Sequence, residues 1–256
     1  MAAIVDHPAI LFILLLVLLT AVMALGAFVL RQRSPLPEEE RDDFSVVQTS
    51  TLTLLALLIG FSLSMAVNRY DQRKTLEENE ANAIGTQYAR ADLTDAAIGT
   101  RMKAALIHYA QLRLADYDTR DHDELARIGG ETTRVQADLW QLATQVAKNQ
   151  PTPIAALVTS GMNDVLNSQD YSEAARINRI PIGSWVLMIV IGLLACTVQG
   201  YGAKGRLRRG LLILPLTLSL SLALIADIDS PRGGIIHVQP QNLARLLQSL
   251  GHPAGK

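Results

Sequence analysis

The sequence is short of most features that announce a reaction. It has one cysteine, Cys196, set inside an apolar run. A single thiol excludes an intrachain disulfide framework and any CxxC metal site, and says nothing about compartment. Aromatic residues make up 5% of the chain and the formal net charge is -1. Lys and Arg form no long patch interleaved with aromatics, so no nucleic-acid partner is expected. No segment alternates with period two, so no sheet is expected. There is no GxSxG, no P-loop and no GxGxxG behind a strand. His108 has no HExxH partner. Asp121, His122, Asp123 and Glu124 are adjacent at a helix start and point in different directions, which suits a cap and first-turn acids better than a ligand set. The expectation is therefore no enzyme, no metal site and no cofactor.

What is present is apolar sequence pooled in blocks. Residues 8–30 are mostly Leu, Ile, Val, Ala and Phe, too long for a signal-peptide core and without a basic leader or a clear cleavage site. Residues 46–67, VVQTSTLTLLALLIGFSLSMAV, run for about 22 residues without a charge, enough to cross a bilayer. The run passes without a proline into NRYDQRKTLEENEANAIGTQYARADL, so one continuous helix is expected from 46 to about 93, half in lipid and half in water. Residues 180–203 are again uncharged, with Trp185 and Tyr201 near the ends in a belt-like placement. Residues 211–226 form a shorter run of about 16 residues, less than a usual bilayer core at about 1.5 Å per residue. Either Pro215 kinks it or its charged end sits in a watery, protein-lined place.

Between the second and third runs, residues 68–178 read as helical throughout. Ala81, Ile84, Tyr88 and Ala91 form one apolar stripe. Met102, Leu106, Tyr109 and Leu112 form a second, and Leu125, Ile128, Val135, Leu139, Leu142 and Val146 a third, loosened by Gly129 and Gly130. Pro151 and Pro153 stop the third, and residues 154–167 read as a fourth. The fold class is thus all-α: an integral membrane protein with four transmembrane helices and an inserted extramembrane helical domain. The divisions are 1–67 (hairpin of 8–30 and 46–67), 68–178 (helical domain), 179–227 (hairpin of 180–203 and 211–226) and 228–256 (polar tail with a short helix at 241–250).

Basic residues bear on orientation. Arg31, Arg33 and Arg41 occupy one short loop, and Lys204, Arg206, Arg208 and Arg209 the other. The positive-inside rule puts both loops in the cytoplasm and the helical domain on the opposite side. Arg69, Arg73 and Lys74, just after the second run, pull the other way.

Ser50, Thr53, Leu57, Gly60, Phe61, Ser64 and Asn68 share one face of the second helix. Hydroxyls mixed with apolar rings can line a pore, where hydroxyls replace hydration and apolar rings gate by dewetting. The competing reading is helix packing, because Gly60, Ser62, Ser64 and Ala66 also let helices approach closely. Beyond the membrane exit, Asn79, Glu80 and Asn82 either ring a vestibule and act on ions, or form a solvated face or cap a neighbouring helix. Asp227 and Asp229, followed by Ser-Pro231-Arg232-Gly233-Gly234, read as a structural motif at a membrane edge, with a carboxylate paired to an arginine such as Arg232 and the glycines supplying the turn.

IGFSLSMAVNRYDQR resembles the second transmembrane helix of bestrophin anion channels. EANAIGTQYARADL, MNDVLNSQDYSEAARINRIP and ADIDSPRGGIIHVQPQNL, in that order, resemble more closely the bestrophin-like membrane family of bacterial proteins. The resemblance covers most of the chain from about residue 50. It implies a homo-oligomer, a pentamer in bestrophins, in a bacterial cytoplasmic membrane, passing small anions such as chloride through a pore lined by the second helix. It places Phe61 on the apolar neck and Leu57 one turn earlier. The third ring falls on Thr53, a departure that makes the neck less apolar. The aromatic pair after the Arg in bestrophins is here Tyr70-Asp71. Bestrophins keep the helical region in the cytoplasm, opposite to the basic-residue reading. Their calcium-binding acidic stretch is reduced here to Asp227 and Asp229, and calcium takes about six to eight oxygens. The alternative to a channel is a non-conducting membrane anchor whose helical domain senses or binds a partner.

Overall fold

The computed structural model describes residues 6–149, 151–203 and 210–251; of Leu211 the backbone alone is described. Lys204, Arg206, Arg208 and Arg209, which carry half of the orientation argument, lie outside the described residues. The described residues are helical and contain no strand. The helices are α1 (Pro8–Ala24), α2 (Arg41–Arg90), α3 (Ala96–Asp118), α4 (His122–Asn149), α5 (Pro153–Ile177), α6 (Ile182–Gly202), α7 (Ile213–Asp229) and α8 (Gln241–Ser249). After α1 the chain continues through a π-helical stretch, Leu25–Leu30, and a last turn, Arg31–Arg33.

The chain divides into two compact units, Met1–Tyr70 with Arg179–His237 and Asp71–Asn178 with Val238–Lys256. The first, the membrane unit, contains α1, the first part of α2, α6 and α7. Three stretches are long and apolar enough to cross a bilayer: Pro8–Arg33, Arg41–Leu93 and Pro153–Gly202. In the third, the uncharged part is α6. Helix α7 has 17 residues and falls short of the others. Pro215 is the third residue of α7, where a missing N–H leaves no intrahelical bond unmade, so it starts the helix rather than interrupting it. Helix α7 runs to Asp229, so Asp227 and Asp229 belong to its last turn rather than to the following loop.

In the membrane unit α1 packs against both α6 and α7. Leu11, Leu15, Leu19 and Met23, at four-residue spacing, are the buried stripe of α1. Gly26 and Gly200 let α1 and α6 meet backbone to backbone: a methyl group on Gly200 would collide with the carbonyl of Met23, and one on Gly26 with that of Thr197. Trp185 is buried in this core and does not mark an interface. Tyr201 stacks edge-on against Phe44 and donates its hydroxyl to the Ser34 carbonyl at 2.8 Å. The outward side chains are apolar: Ile13, Val17, Val186, Leu194, Leu216 and Leu220 are exposed. So extended an apolar surface needs a cover other than water, and with the spans above it makes this a membrane protein.

The second unit has an apolar core of its own. Ile84, Met102, Leu106, Tyr109, Ile128, Leu139, Leu142, Val158 and Met162 are buried together. The three stripes read from the sequence supply most of them. Helix α4 passes through Gly129 and Gly130 without a break, and α5 extends well beyond residue 167. Thr152 caps α5 by accepting from Ala155 N–H. Asp121 caps α4, accepting from Asp123 N–H at 2.8 Å. The polar tail divides between the units: residues up to His237 fold with the membrane unit, while α8 buries Leu243 and Leu247 in the helical unit.

Candidate functional site

Helix α2 is unbroken from Arg41 to Arg90, as its lack of proline and glycine pairs suggests. It begins five residues earlier than the apolar run, so Arg41, Asp42 and Asp43 form its first turn. Asp42 and Asp43 there favour the positive end of the helix dipole. Within the membrane unit its faces differ sharply. Leu55, Ser62 and Ala66 are buried in the unit's core or at its margin. Thr53, Leu57, Gly60, Phe61, Ser64 and Asn68 are all exposed, Leu57 at 53% and Phe61 at 64%. An added Cβ at Gly60 would meet nothing within 4 Å. The small residues therefore split. Ser62 and Ala66 serve packing within the chain, whereas Gly60 and Ser64 do not. The Thr53 hydroxyl donates to the Thr49 carbonyl at 2.8 Å, so it offers its surroundings oxygen lone pairs only.

At the end of α7 both aspartates are buried and occupied. Asp227 accepts from Ile235 N–H at 2.7 Å and Ile236 N–H at 3.1 Å. Asp229 accepts from Ile180 N–H at 3.1 Å and faces Arg179 at 3.7 Å. Arg179 also pairs with Asp6 at 2.7 Å. The carboxylates thus hold the Pro231-Arg232-Gly233-Gly234 turn and the start of α6 on the end of α7. Gly234 adopts φ 77°, and a Cβ there would run into the Asp227 carboxylate. Arg179 is a partner that the sequence motif did not single out, because it lies far off in the chain. Among the described residues no group of His, Cys, Asp and Glu is arranged to hold a metal ion.

Of the three vestibule candidates, Asn79 and Asn82 are exposed and Glu80 is not. Glu80 is fully buried in the helical unit, which removes it from any water-facing ring. It accepts from Arg113 Nε at 2.5 Å and from Ser172 Oγ at 3.4 Å. Arg113 reaches Asp116 at 3.4 Å, Asp116 reaches Arg176 at 2.5 Å, and Arg176 lies over the Tyr117 ring at 4.3 Å. Burial alone would push the Arg113 guanidinium down; the Glu80 carboxylate beside it more than reverses this and holds it above its ordinary value. Burial, and then the Glu80 charge, raise the Tyr109 phenol. A second buried carboxylate, Glu77, was not anticipated. It accepts from Asn242 N–H and Leu243 N–H, both at 2.9 Å, and from the Asn242 side chain, capping α8. Both were hidden by the same thing: i, i+3 acids on a polar helix look solvated until their distant partners are known.

Residues 14–243 match the Bestrophin-like domain. The chain belongs to the Bestrophin-like family. No curated protein matches it. Solved structures do. A point-mutant bacterial Bestrophin homolog from Klebsiella pneumoniae aligns at a TM-score of 0.67 with 15% identity, covering 94% of this chain and 99% of that one. The same homolog solved by Zn-SAD phasing gives 0.66, 14%, 94% and 98%. A crystal structure of a membrane protein gives 0.66, 15%, 94% and 99%. At such identities the likeness establishes a bestrophin fold. The fold of this Bestrophin-like protein therefore accords with the resemblance carried by its second helix and its ADIDSPRGG segment.

Proposed function

We propose that this protein is a homo-oligomeric ion channel of the bacterial cytoplasmic membrane, passing small anions such as chloride through a pore lined by α2. Membership of the Bestrophin-like family supports a channel rather than an enzyme. The observation that carries the reading is the open, mixed face of α2. A face with Phe61 and Leu57 beside Thr53, Gly60, Ser64 and Asn68 is too polar for lipid along its length and is not covered by its own chain. Copies of itself around an axis would cover it and leave a lumen, with Phe61 and Leu57 as apolar constrictions and Thr53 as a wetter ring. Five copies follow the family resemblance. Helix α7, about 25 Å long at about 1.5 Å per residue, serves as a fourth, short span held against α1. Asn79 and Asn82 remain candidates for a solvated vestibule. The side of the helical unit follows the basic residues or the bestrophin arrangement; a reporter fused at Lys148 that is active on one side alone decides between them.

The test is chloride efflux from liposomes holding the purified full-length protein. Wild type should release chloride, and Phe61→Ala should change the rate several-fold in a sample of unchanged oligomeric mass. Tight liposomes from folded, oligomeric protein would reject conduction and favour the partner-binding anchor.

A further inference from the structure

One cavity in the membrane unit belongs to none of the features above. It lies where the last turn after α1, the 34–40 loop, the start of α2 and the end of α6 come together, and its volume is about 320 Å³. That is at the low end of the ~300–1,000 Å³ of small-molecule sites. Arg31 and Arg41 both line it, with Gln48, Phe44 and Tyr201; Asp42 is the only acid among the described lining residues. The positive charge is poorly spent within the chain. Arg41 has only a 3.9 Å approach to Glu38, whose side chain is 90% exposed. The Nε of Arg41 is buried and has no hydrogen-bond partner among the described residues. No ion pair of Arg31 is found among the described residues. A buried N–H without an acceptor calls for an explanation, and an anion in the cavity would supply one.

The surroundings narrow the anion's source. Phe28, Val29 and Leu30, just before Arg31, are exposed, and so are Val46 and Val47, just past the first turn of α2. A cationic cavity bordered by exposed apolar residues matches a molecule that is anionic at one end and hydrocarbon at the other. Basic pockets between membrane helices hold phosphate headgroups for this reason, and guanidinium forks match phosphate oxygens.

We propose that this cavity is a binding site for a phosphate-ester anion, carried by an anionic phospholipid or by a soluble phosphate, with Arg31 and Arg41 as its two charged contacts. The site is independent of whether the protein conducts. Its test uses the full-length protein in a neutral detergent at low salt, with binding followed by native mass spectrometry and titration calorimetry. Three probes are compared: phosphatidylglycerol, a diacylglycerol lacking the phosphate, and glycerol 3-phosphate. Phosphatidylglycerol should bind and the diacylglycerol should not. Arg31→Gln and Arg41→Gln should each weaken phosphatidylglycerol by about tenfold, while Arg33→Gln, exposed and outside the cavity lining, should leave it unchanged. Glycerol 3-phosphate binding as tightly, with the same arginine dependence, supports the site and assigns it to soluble phosphates; weak or no binding supports it and assigns it to lipid. Unchanged phosphatidylglycerol binding in the double variant, shown to keep its oligomeric mass and helicity, overturns the proposal. So does an equal loss in Arg33→Gln, which would make the effect one of bulk charge. Should the double variant not fold, the two single variants decide by the same criterion.

Discussion

The helical unit buries charge and the membrane unit exposes oil. In the helical unit Glu80, Arg113 and Glu77 lie inside with Tyr109, Met102 and Leu106. In the membrane unit Val17, Leu194 and Leu220 point outward. Its buried polar groups are concentrated where α7 ends, at Asp227 and Asp229. Both are assemblies of α-helices, and their burial patterns are opposite. The helical unit gathers its apolar groups inside, and one ion-paired cluster ties α2, α3 and α5 together. Lipid provides no such drive, so the membrane unit relies on close backbone approach at Gly26 and Gly200 and on satisfied backbone groups at its edges. The face of α2 that bears Thr53, Gly60, Phe61 and Asn68 follows neither rule, which is why it is the functional candidate.

The contrast can be broken first at its strongest point. Glu80→Ala removes the closer carboxylate of the buried Arg113, leaving only Asp116 at 3.4 Å, and should destabilise the helical unit by about 3–5 kcal/mol, read as a lower denaturation midpoint of that phase. Replacing both Glu80 and Arg113 with methionine should recover most of the loss; if the double change is as damaging as the single one, the pair contributes more than compensation of its own charges. Next comes Asp227→Ala, which orphans the N–H groups of Ile235 and Ile236 and should cost about 1–3 kcal/mol for each group left unsatisfied, seen as a lower melting temperature in detergent. An unchanged melting temperature would mean that the turn is held by something else.

A smaller effect concerns pH. Burial and Glu80 raise Tyr109 above its ordinary value of 10.0, so its neutral form stabilises the fold. That contribution is fully present below the unfolded value and is lost as pH rises through the higher folded value. Tyr109→Phe should therefore flatten the alkaline loss of helicity above pH 10.0. Smallest of all, Gly60→Ala should stay within about 1 kcal/mol of neutral, since an alanine suits a helix and meets nothing there. Gly200→Ala drives a methyl group into the Met23 backbone. Equal melting temperatures for these two variants would erase the distinction drawn between the faces of the membrane helices.

Periodicity made much of this legible. Stripes such as Met102-Leu106-Tyr109 became core, and the absence of a breaker after Val67 became a single helix through Arg90. In the ADIDSPRGG segment the Asp227 and Asp229 carboxylates accept the backbone N–H groups of Ile235, Ile236 and Ile180. What stayed hidden is nonlocal. Glu80 looks like a solvated acid because Arg113 is on another helix, and Glu77 looks the same because α8 is far along the chain. Trp185 sits near the start of a span yet points inward, since position along a helix does not tell which face a side chain takes.

If α2 lines a pore, its open face meets water rather than lipid in the assembled protein. It can be measured directly because Cys196 is the sole cysteine and is buried. In a Cys196→Ala background, single cysteines placed at Thr53, Phe61 and Ser64, and at Leu220 as an outward apolar control, are exposed to a water-soluble, membrane-impermeant thiol reagent in intact membranes. Modification is expected at Thr53→Cys, Phe61→Cys and Ser64→Cys, and protection at Leu220→Cys. Protection at all four, with each variant folded and reactive once solubilised, would contradict it.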